Sequence, residues 1–94
     1  MDYTYNGKPI LPTKEALNEL SDINLDLYEI SGILEKGFDI RKRKKNVIEK
    51  GIQKGNKVIN VVVVELDNYY KLIHAGEFTL TRKFKKLLRD ENAI

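Results

Sequence analysis

The chain has 94 residues, which fits one domain (residues 1–94) with one hydrophobic core. It has no cysteine, which excludes a disulfide framework and thiolate metal sites and suits a cytoplasmic protein. The formal net charge of +3 is unevenly divided: three Lys against eight acids in residues 1–40, then fourteen Lys or Arg against six acids in residues 41–94. A positive face formed by the second part would attract polyanions or an acidic protein partner.

The first twelve residues read as an extended segment outside any membrane. "MDYTYNGKPI" lacks the basic flank and apolar run of a signal peptide, and no apolar stretch approaches the roughly 20 residues that span a bilayer. Asn6-Gly7 offers a turn, and Pro9 and Pro12 exclude a central strand. We therefore expect an edge strand within the first twelve residues. The absence of a signal peptide pattern and of a long apolar stretch leads us to expect a cytoplasmic protein.

Two helices are predicted next. Thr13 can cap a helix from Lys14 to about Leu20. For the second helix, Asn24 is the expected N-cap. Gly37 is expected to end it in the left-handed conformation that glycine favours.

After the second helix, apolar residues recur at every second position, which is the period of a strand. "NVIEKGIQ", "KVINVVVVEL" and "YYKLIHAGEF" predict three strands of an antiparallel meander, with Gly55-Asn56 as a type II′ turn. "TLTRKFKKLLRDENAI" predicts a basic C-terminal helix. The expected fold class is α+β: two N-terminal helices packed on a three- to four-stranded antiparallel meander sheet, with the basic helix at the C-terminus.

The turns also predict a register. Lys54 should pair with Lys57 across the first turn, which sets Ile48 opposite Val63. Leu66 should pair with Tyr69 across a second turn at Asp67-Asn68, which sets Val63 opposite Leu72. The same counting sets Lys50, Val61 and His74 in one row. Glu49 then falls on the other face from His74, so the two are not expected to form an acid–base pair.

His74 and "RKRKK" (residues 41–45) are the two candidate functional features. The only histidine would serve as a general acid or base, or would be a locally hydrogen-bonded strand residue. The basic cluster would grip RNA or DNA, or would be a solvated edge that discourages aggregation. The predicted catalytic set is His74, Arg41, Arg43 and Lys50. The predicted nucleic-acid contacts are Lys42, Lys44, Lys45, Arg82, Lys85 and Tyr70.

The sequence has no motif for a zinc site, a serine nucleophile or a phosphate-binding loop. One histidine without cysteine does not make a zinc site of the usual kind, and neither serine has a nucleophile motif around it. "GIQKG" suits a hairpin and not a phosphate-binding loop. No metal and no cofactor is predicted. For Tyr70, the alternative to a contact with nucleic acid is packing against a residue of the neighbouring strand.

Two segments carry a family resemblance. Residues 14–84 resemble the small RelE-type toxins of the barnase, EndoU, colicin and RelE-like group. The resemblance rests on a passage from helix to strand in "LYEISGILEKGFDI" and on a strand meander in "NVVVVEL…YYKLIHAG". The resemblance implies a metal-independent ribonuclease held inactive by an antitoxin protein. His74 or Glu49 would then transfer protons, and the charge would be stabilised by Arg41, Arg43, Lys50 and Arg82.

The leading hypothesis is a RelE-like domain that binds RNA, with cleavage left open. One alternative is a non-catalytic module whose basic face docks nucleic acid or an acidic protein. Another is a catalytically inactive family member kept for assembly. The sequence does not define an oligomeric state.

Overall fold

The architecture is a six-stranded sheet with two helices on one face, in a computed structural model that describes residues 3–41 and 43–81. The helices are α1 (Lys14–Asp22) and α2 (Leu27–Lys36). The strands are β1 (Thr4–Tyr5), β2 (Lys8–Pro12), β3 (Phe38–Asp39), β4 (Val47–Lys54), β5 (Lys57–Glu65) and β6 (Tyr70–Thr79). The strand order across the sheet is β1-β2-β6-β5-β4-β3.

The predicted fold is wrong in the extent of the sheet and in the C-terminal element. The structure is a mixed α+β fold with six strands, and β2 pairs parallel with β6, so the sheet is not a simple antiparallel meander. Thr79, where the basic helix was expected to begin, is the last residue of β6. Leu80 and Thr81 have no regular structure, and the remaining residues of that predicted helix, 82–94, lie outside the described residues.

A hairpin at the start of the described chain adds the two strands β1 and β2. Asn6 (φ 52°) and Gly7 (φ 80°) both have positive φ, as a type I′ turn requires. Lys8 fastens this hairpin to the far end of β5, since its Nζ lies 2.9 Å from Glu65 Oε2 and 3.0 Å from the Leu66 carbonyl oxygen. The hydrogen bond and charge of Lys8 hold the pKa of Glu65 below its usual range.

The helix boundaries follow their capping residues. Thr13 Oγ1 accepts a hydrogen bond from the Ala16 N–H at 3.0 Å, which confirms the predicted cap of α1. Asn24 (φ 57°) is not the cap of α2. It ends α1 in a Schellman motif, in which the Leu25 N–H reaches the Leu20 carbonyl at 2.9 Å. The N-cap of α2 is Asp26, which forms a capping box with Glu29.

Gly37 ends α2 for a reason other than the predicted left-handed turn. Its φ is −74°, which any residue can adopt. A Cβ at this position would instead collide with the carbonyl oxygens of Ile33 and Gly51, at 2.7 Å from the latter. The close passage of α2 over β4 therefore requires glycine here.

The main core lies between the helices and the side of the sheet that we call the helix face, defined by Ile59, Val61, Val63, Leu72 and Ala75. These strand residues pack against buried residues of the two helices: Ala16, Leu20, Ile30, Ile33 and Leu34. Removing such apolar side chains from water is the main stabilising contribution to the fold. Neither described helix is long and apolar enough to cross a membrane.

The predicted register holds as far as a β-bulge in β6. Lys54 pairs with Lys57, Ile48 with Val63, and Val63 with Leu72, as predicted. The Gly55 turn also has the positive φ (65°) expected at the first central position. Between Val62 and Val63 the register shifts, so that Val62 pairs with His74 and Ile73 is left as the extra residue.

Candidate anion-binding site

The basic cluster lies in a loop and not at the start of a strand. β3 ends at Asp39 and β4 begins at Val47, and the segment between them has no regular structure in its described residues. The Ile40 N–H donates to the Glu49 carbonyl at 3.2 Å, and the Val47 N–H donates to the Lys44 carbonyl at 2.9 Å. The loop is therefore anchored to β4 at both of its ends.

The side chain of Glu49 organises this loop. It is only 1% exposed, and its Oε1 lies 2.9 Å from the Nε atoms of both Arg41 and Arg43. Its Oε2 accepts a hydrogen bond from Asn60 Nδ2 at 3.2 Å. A buried carboxylate is costly unless it is paired and hydrogen-bonded. Here Arg43 and Asn60 donate hydrogen bonds to it, and Arg41 adds a second ion pair.

The two arginines use only their Nε atoms for Glu49. Within the described residues neither guanidinium group has another partner, and the side chains of Arg41 and Arg43 remain 63% and 37% exposed. Their Nη groups are therefore available to a ligand. The single negative charge of Glu49 offsets only one of the two arginines, so the group of Glu49, Arg41 and Arg43 has a net charge of +1.

His74 is held by a different carboxylate, at the edge of β6. Its Nδ1 lies 2.9 Å from Glu19 Oε2, while Glu19 Oε1 accepts the Ala75 N–H at 3.3 Å. The other nitrogen, Nε2, lies beside Gly76, 3.2 Å from the point where a Cβ would stand. Asn60 Oδ1 lies 3.5 Å from the same point. Glycine at position 76 therefore makes room for the imidazole ring.

The bulge at Ile73 brings His74 onto the same side of the sheet as Glu49. Val62 pairs with Glu49 on one side and with His74 on the other, and cross-strand partners share a face. The predicted row of Lys50, Val61 and His74 is wrong, because Val61 pairs with Ala75. We call this side the Glu49 face, defined by Glu49, Gly51, Asn60, Val62, His74 and Gly76.

The Glu49 face therefore carries an arginine pair and a histidine two strands apart, roughly 10 Å between backbones by the usual strand spacing. Val62, between them, is 1% exposed, and Asn60 is 8% exposed. Asn60 lies between the two groups: its amide nitrogen donates to Glu49, and its oxygen borders the same point beside Gly76 as His74 Nε2. The arrangement can hold an anion at the arginines and exchange a proton at the imidazole.

The other predicted site residues lie elsewhere. Lys50 shares the helix face with Val61 and pairs with Asp39 at 2.9 Å, so it does not join the arginines. Tyr70 is 1% exposed and packs on Tyr5, so its ring is not available for stacking on a base. Lys44 and Lys45 are exposed in the loop. Three predicted contacts, Lys42, Arg82 and Lys85, lie outside the described residues.

Sequence reasoning missed Glu19 and Asn60 altogether and gave Glu49 the wrong surroundings. A signal was present for two of them, because Glu49 and Asn60 are polar residues at positions of β4 and β5 where neighbours of the same face are apolar or Gly. A polar residue in a buried strand position needs a partner, and an adjacent run of arginines supplies one. Glu19 had no such signal, since it lies among the exposed positions of an amphipathic helix.

Comparison with known proteins returned no relative. No protein-family model matches the chain, and no curated protein or solved structure matches it at a significant level. The resemblance to RelE-type toxins therefore stays a prediction, and a functional proposal has to stand on the geometry of this site.

Proposed function

We propose that the domain binds RNA through the arginine pair of the Glu49 face. The observation that carries this proposal is that one buried carboxylate lies 2.9 Å from the Nε atoms of both Arg41 and Arg43, while the two arginine side chains stay 63% and 37% exposed. Guanidinium groups bind phosphate oxygens with paired N–H donors. Two of them in fixed positions lose less side-chain entropy on binding than two free arginines would.

The residues around the arginine pair favour contact with the phosphate backbone of RNA and not with the edges of its bases. Lys44 and Lys45 extend the positive surface along the same exposed loop. Contacts of this kind are sequence-tolerant and strongly salt-dependent, because each neutralised phosphate releases counterions.

Fluorescence anisotropy with a labelled mixed-sequence single-stranded RNA, in EDTA and over a series of salt concentrations, tests this proposal. Arg41→Met and Arg43→Met should each weaken binding and reduce the slope of log K against log salt by about 0.7, the value for one single-strand phosphate contact. Lys14→Met removes an exposed positive charge from α1 and serves as the matched control. Equal losses in all three variants would contradict a localised site.

His74 favours a second activity, cleavage of the bound RNA without a metal. Glu19 Oε2 lies beside Nδ1, so Nε2 is the ring nitrogen left to act as a base, and His74 lies on the same face as Glu49 and its arginines. In this proposal Nε2 takes the proton of a ribose 2′-hydroxyl, and the 2′-oxygen forms a bond to phosphorus. The bond from phosphorus to the 5′-oxygen breaks, and the leaving oxygen takes a proton from water, while the proton held on Nε2 passes to the hydroxide that remains and restores the water. The products are a 2′,3′-cyclic phosphate and a free 5′-hydroxyl.

Gel analysis of the same RNA in EDTA tests cleavage separately from binding. Fragments that end in a cyclic phosphate should appear with the wild-type protein and disappear with His74→Ala, while the anisotropy signal remains. Glu19→Gln should lower kcat with little change in KM, since the carboxylate only positions the ring and does not contact the RNA. A 2′-deoxy substrate that is cut equally well would contradict this chemistry.

The remaining parts of the proposal come from the resemblance. A RelE-like domain would act in the cytoplasm, on messenger RNA, and would be bound by an antitoxin. An acidic antitoxin segment would compete with RNA for the outward Nη groups of Arg41 and Arg43, because both ligands require the same positive surface. Competition is therefore the expected behaviour of any such partner.

A further inference from the structure

A pocket of about 360 Å³ lies on the helix face, on the opposite side of the sheet from the arginine pair. Its apolar lining comes from Ile59 of β5 and from Ile23 and Leu25, which flank the left-handed residue Asn24 between the helices. The tip of the β4–β5 hairpin closes it with Lys54 and Lys57. This volume falls within the range of about 300–1,000 Å³ that is usual for small-molecule sites.

The two lysines at the pocket are in an unfavourable position relative to each other. Lys54 and Lys57 are direct cross-strand partners, so their side chains leave the same face of the hairpin side by side. Like charges directly opposite each other destabilise a strand pair. An anion placed between the two ammonium groups would remove this repulsion.

The pocket has two acidic residues, Glu29 and Glu77, which equal its two lysines in number but pair with only one of them. Glu77 Oε1 lies 3.3 Å from Lys57 Nζ, so these two charges balance each other. Glu29 is committed to the capping box of α2, in which its Oε2 accepts the Asp26 N–H at 3.4 Å. Lys54 has no partner within the described residues. The pocket thus combines an apolar floor with a lysine, Lys54, that makes no direct ion pair among the described residues.

We propose that this pocket binds a small organic monoanion with an apolar tail, such as a short-chain carboxylate. The carboxylate would lie at Lys54, near Lys57, and the tail would lie on Ile59 between Ile23 and Leu25. This site is independent of the RNA proposal, because it lies on the opposite face and shares no residue with it.

Hexanoate is the probe for this site, with acetate and hexylammonium as matched comparisons. In a ¹H–¹⁵N correlation titration of the whole chain, hexanoate should shift the backbone amides of residues 23–25 and 54–59 to saturation. Acetate lacks the tail and should bind at least about tenfold more weakly, since each buried methylene contributes about fourfold in affinity. Hexylammonium carries the wrong charge and should leave these amides unchanged.

Two lysine variants separate a specific site from general attraction to a basic protein. Lys54→Met keeps most of the side-chain volume and should weaken hexanoate binding by about two- to fivefold, as expected for one exposed ion pair. Lys71→Met removes an exposed charge from the other face and should change nothing. Equal binding by hexylammonium, shifts elsewhere on the chain, or an unaffected Lys54→Met variant would each overturn the proposal.

Discussion

Removal of both arginines from Glu49 should cost far more stability than the sum of the two single removals. In Arg41→Met or Arg43→Met the other guanidinium still pairs with the carboxylate. Each removed group is itself partly exposed, at 63% and 37%. We therefore expect each single change to cost about 0.5–1 kcal/mol, close to the value of an exposed ion pair.

The double variant leaves a carboxylate that is 1% exposed with only the Asn60 amide as partner. An uncompensated buried charge costs about 3–5 kcal/mol. The coupling between the two arginines should then be about 2 kcal/mol, well above the roughly 0.5 kcal/mol within which independent sites add. Adding Glu49→Gln to the double variant removes the buried charge, so the triple variant should be more stable than the double one.

Urea unfolding followed by far-ultraviolet circular dichroism, with a common m-value, measures these differences. The double change Lys44→Met and Lys45→Met is the matched control, because it removes the same charge from the same loop and touches no carboxylate. It should stay within about 0.5 kcal/mol of the wild type. If the two arginine changes are additive, or if Glu49→Gln further destabilises the double variant, Glu49 is not the group that fixes the loop.

Two further predictions concern the packing of α2 and the pH dependence of the hairpin. Gly37→Ala should destabilise by about 1–3 kcal/mol, because its Cβ meets the Gly51 carbonyl at 2.7 Å. Gly32→Ala, inside the same helix with open space around it, should stabilise by about 0.5–1 kcal/mol in the same urea assay. The lowered pKa of Glu65 gives stability that is present above the usual carboxyl range and is lost as the pH falls through the lowered value. Lys8→Met should return the Glu65 pKa, read from side-chain carboxyl NMR shifts, to that range and flatten the acid limb of stability.

The local parts of the fold were predictable because they depend on neighbouring residues. The Thr13 cap, the Gly55 turn and the pairing from Lys54–Lys57 to Ile48–Val63 follow from capping and turn rules that act over a few positions. Asn24 shows the limit of such rules. The same residue type starts helices and also adopts positive φ after them, and Asp26 was the better cap because Glu29 completes its box.

The candidate site was less predictable because it depends on long-range pairing. One extra residue, Ile73, reverses the side to which every later residue of β6 points, and nothing in "YYKLIHAGEF" marks that position. The parallel pairing of β2 with β6 likewise joins residues far apart in the sequence. The edge strand predicted from Pro9 and Pro12 is wrong for β2, which lies between β1 and β6 and is antiparallel to β1. The two prolines do not specify the neighbours that β2 takes.

The pairing of β2 with β6 also has a consequence for how the chain folds. The β4–β5–β6 meander needs only short loops, whereas Ile10 finds its partner Tyr70 only after the whole intervening chain has formed. Closing so large a loop is slow, and contacts of this kind lower folding rates. During synthesis the hairpin of residues 4–12 leaves the ribosome long before β6 has been made. The edge of β2 that later pairs with β6 therefore stays unpaired during most of translation.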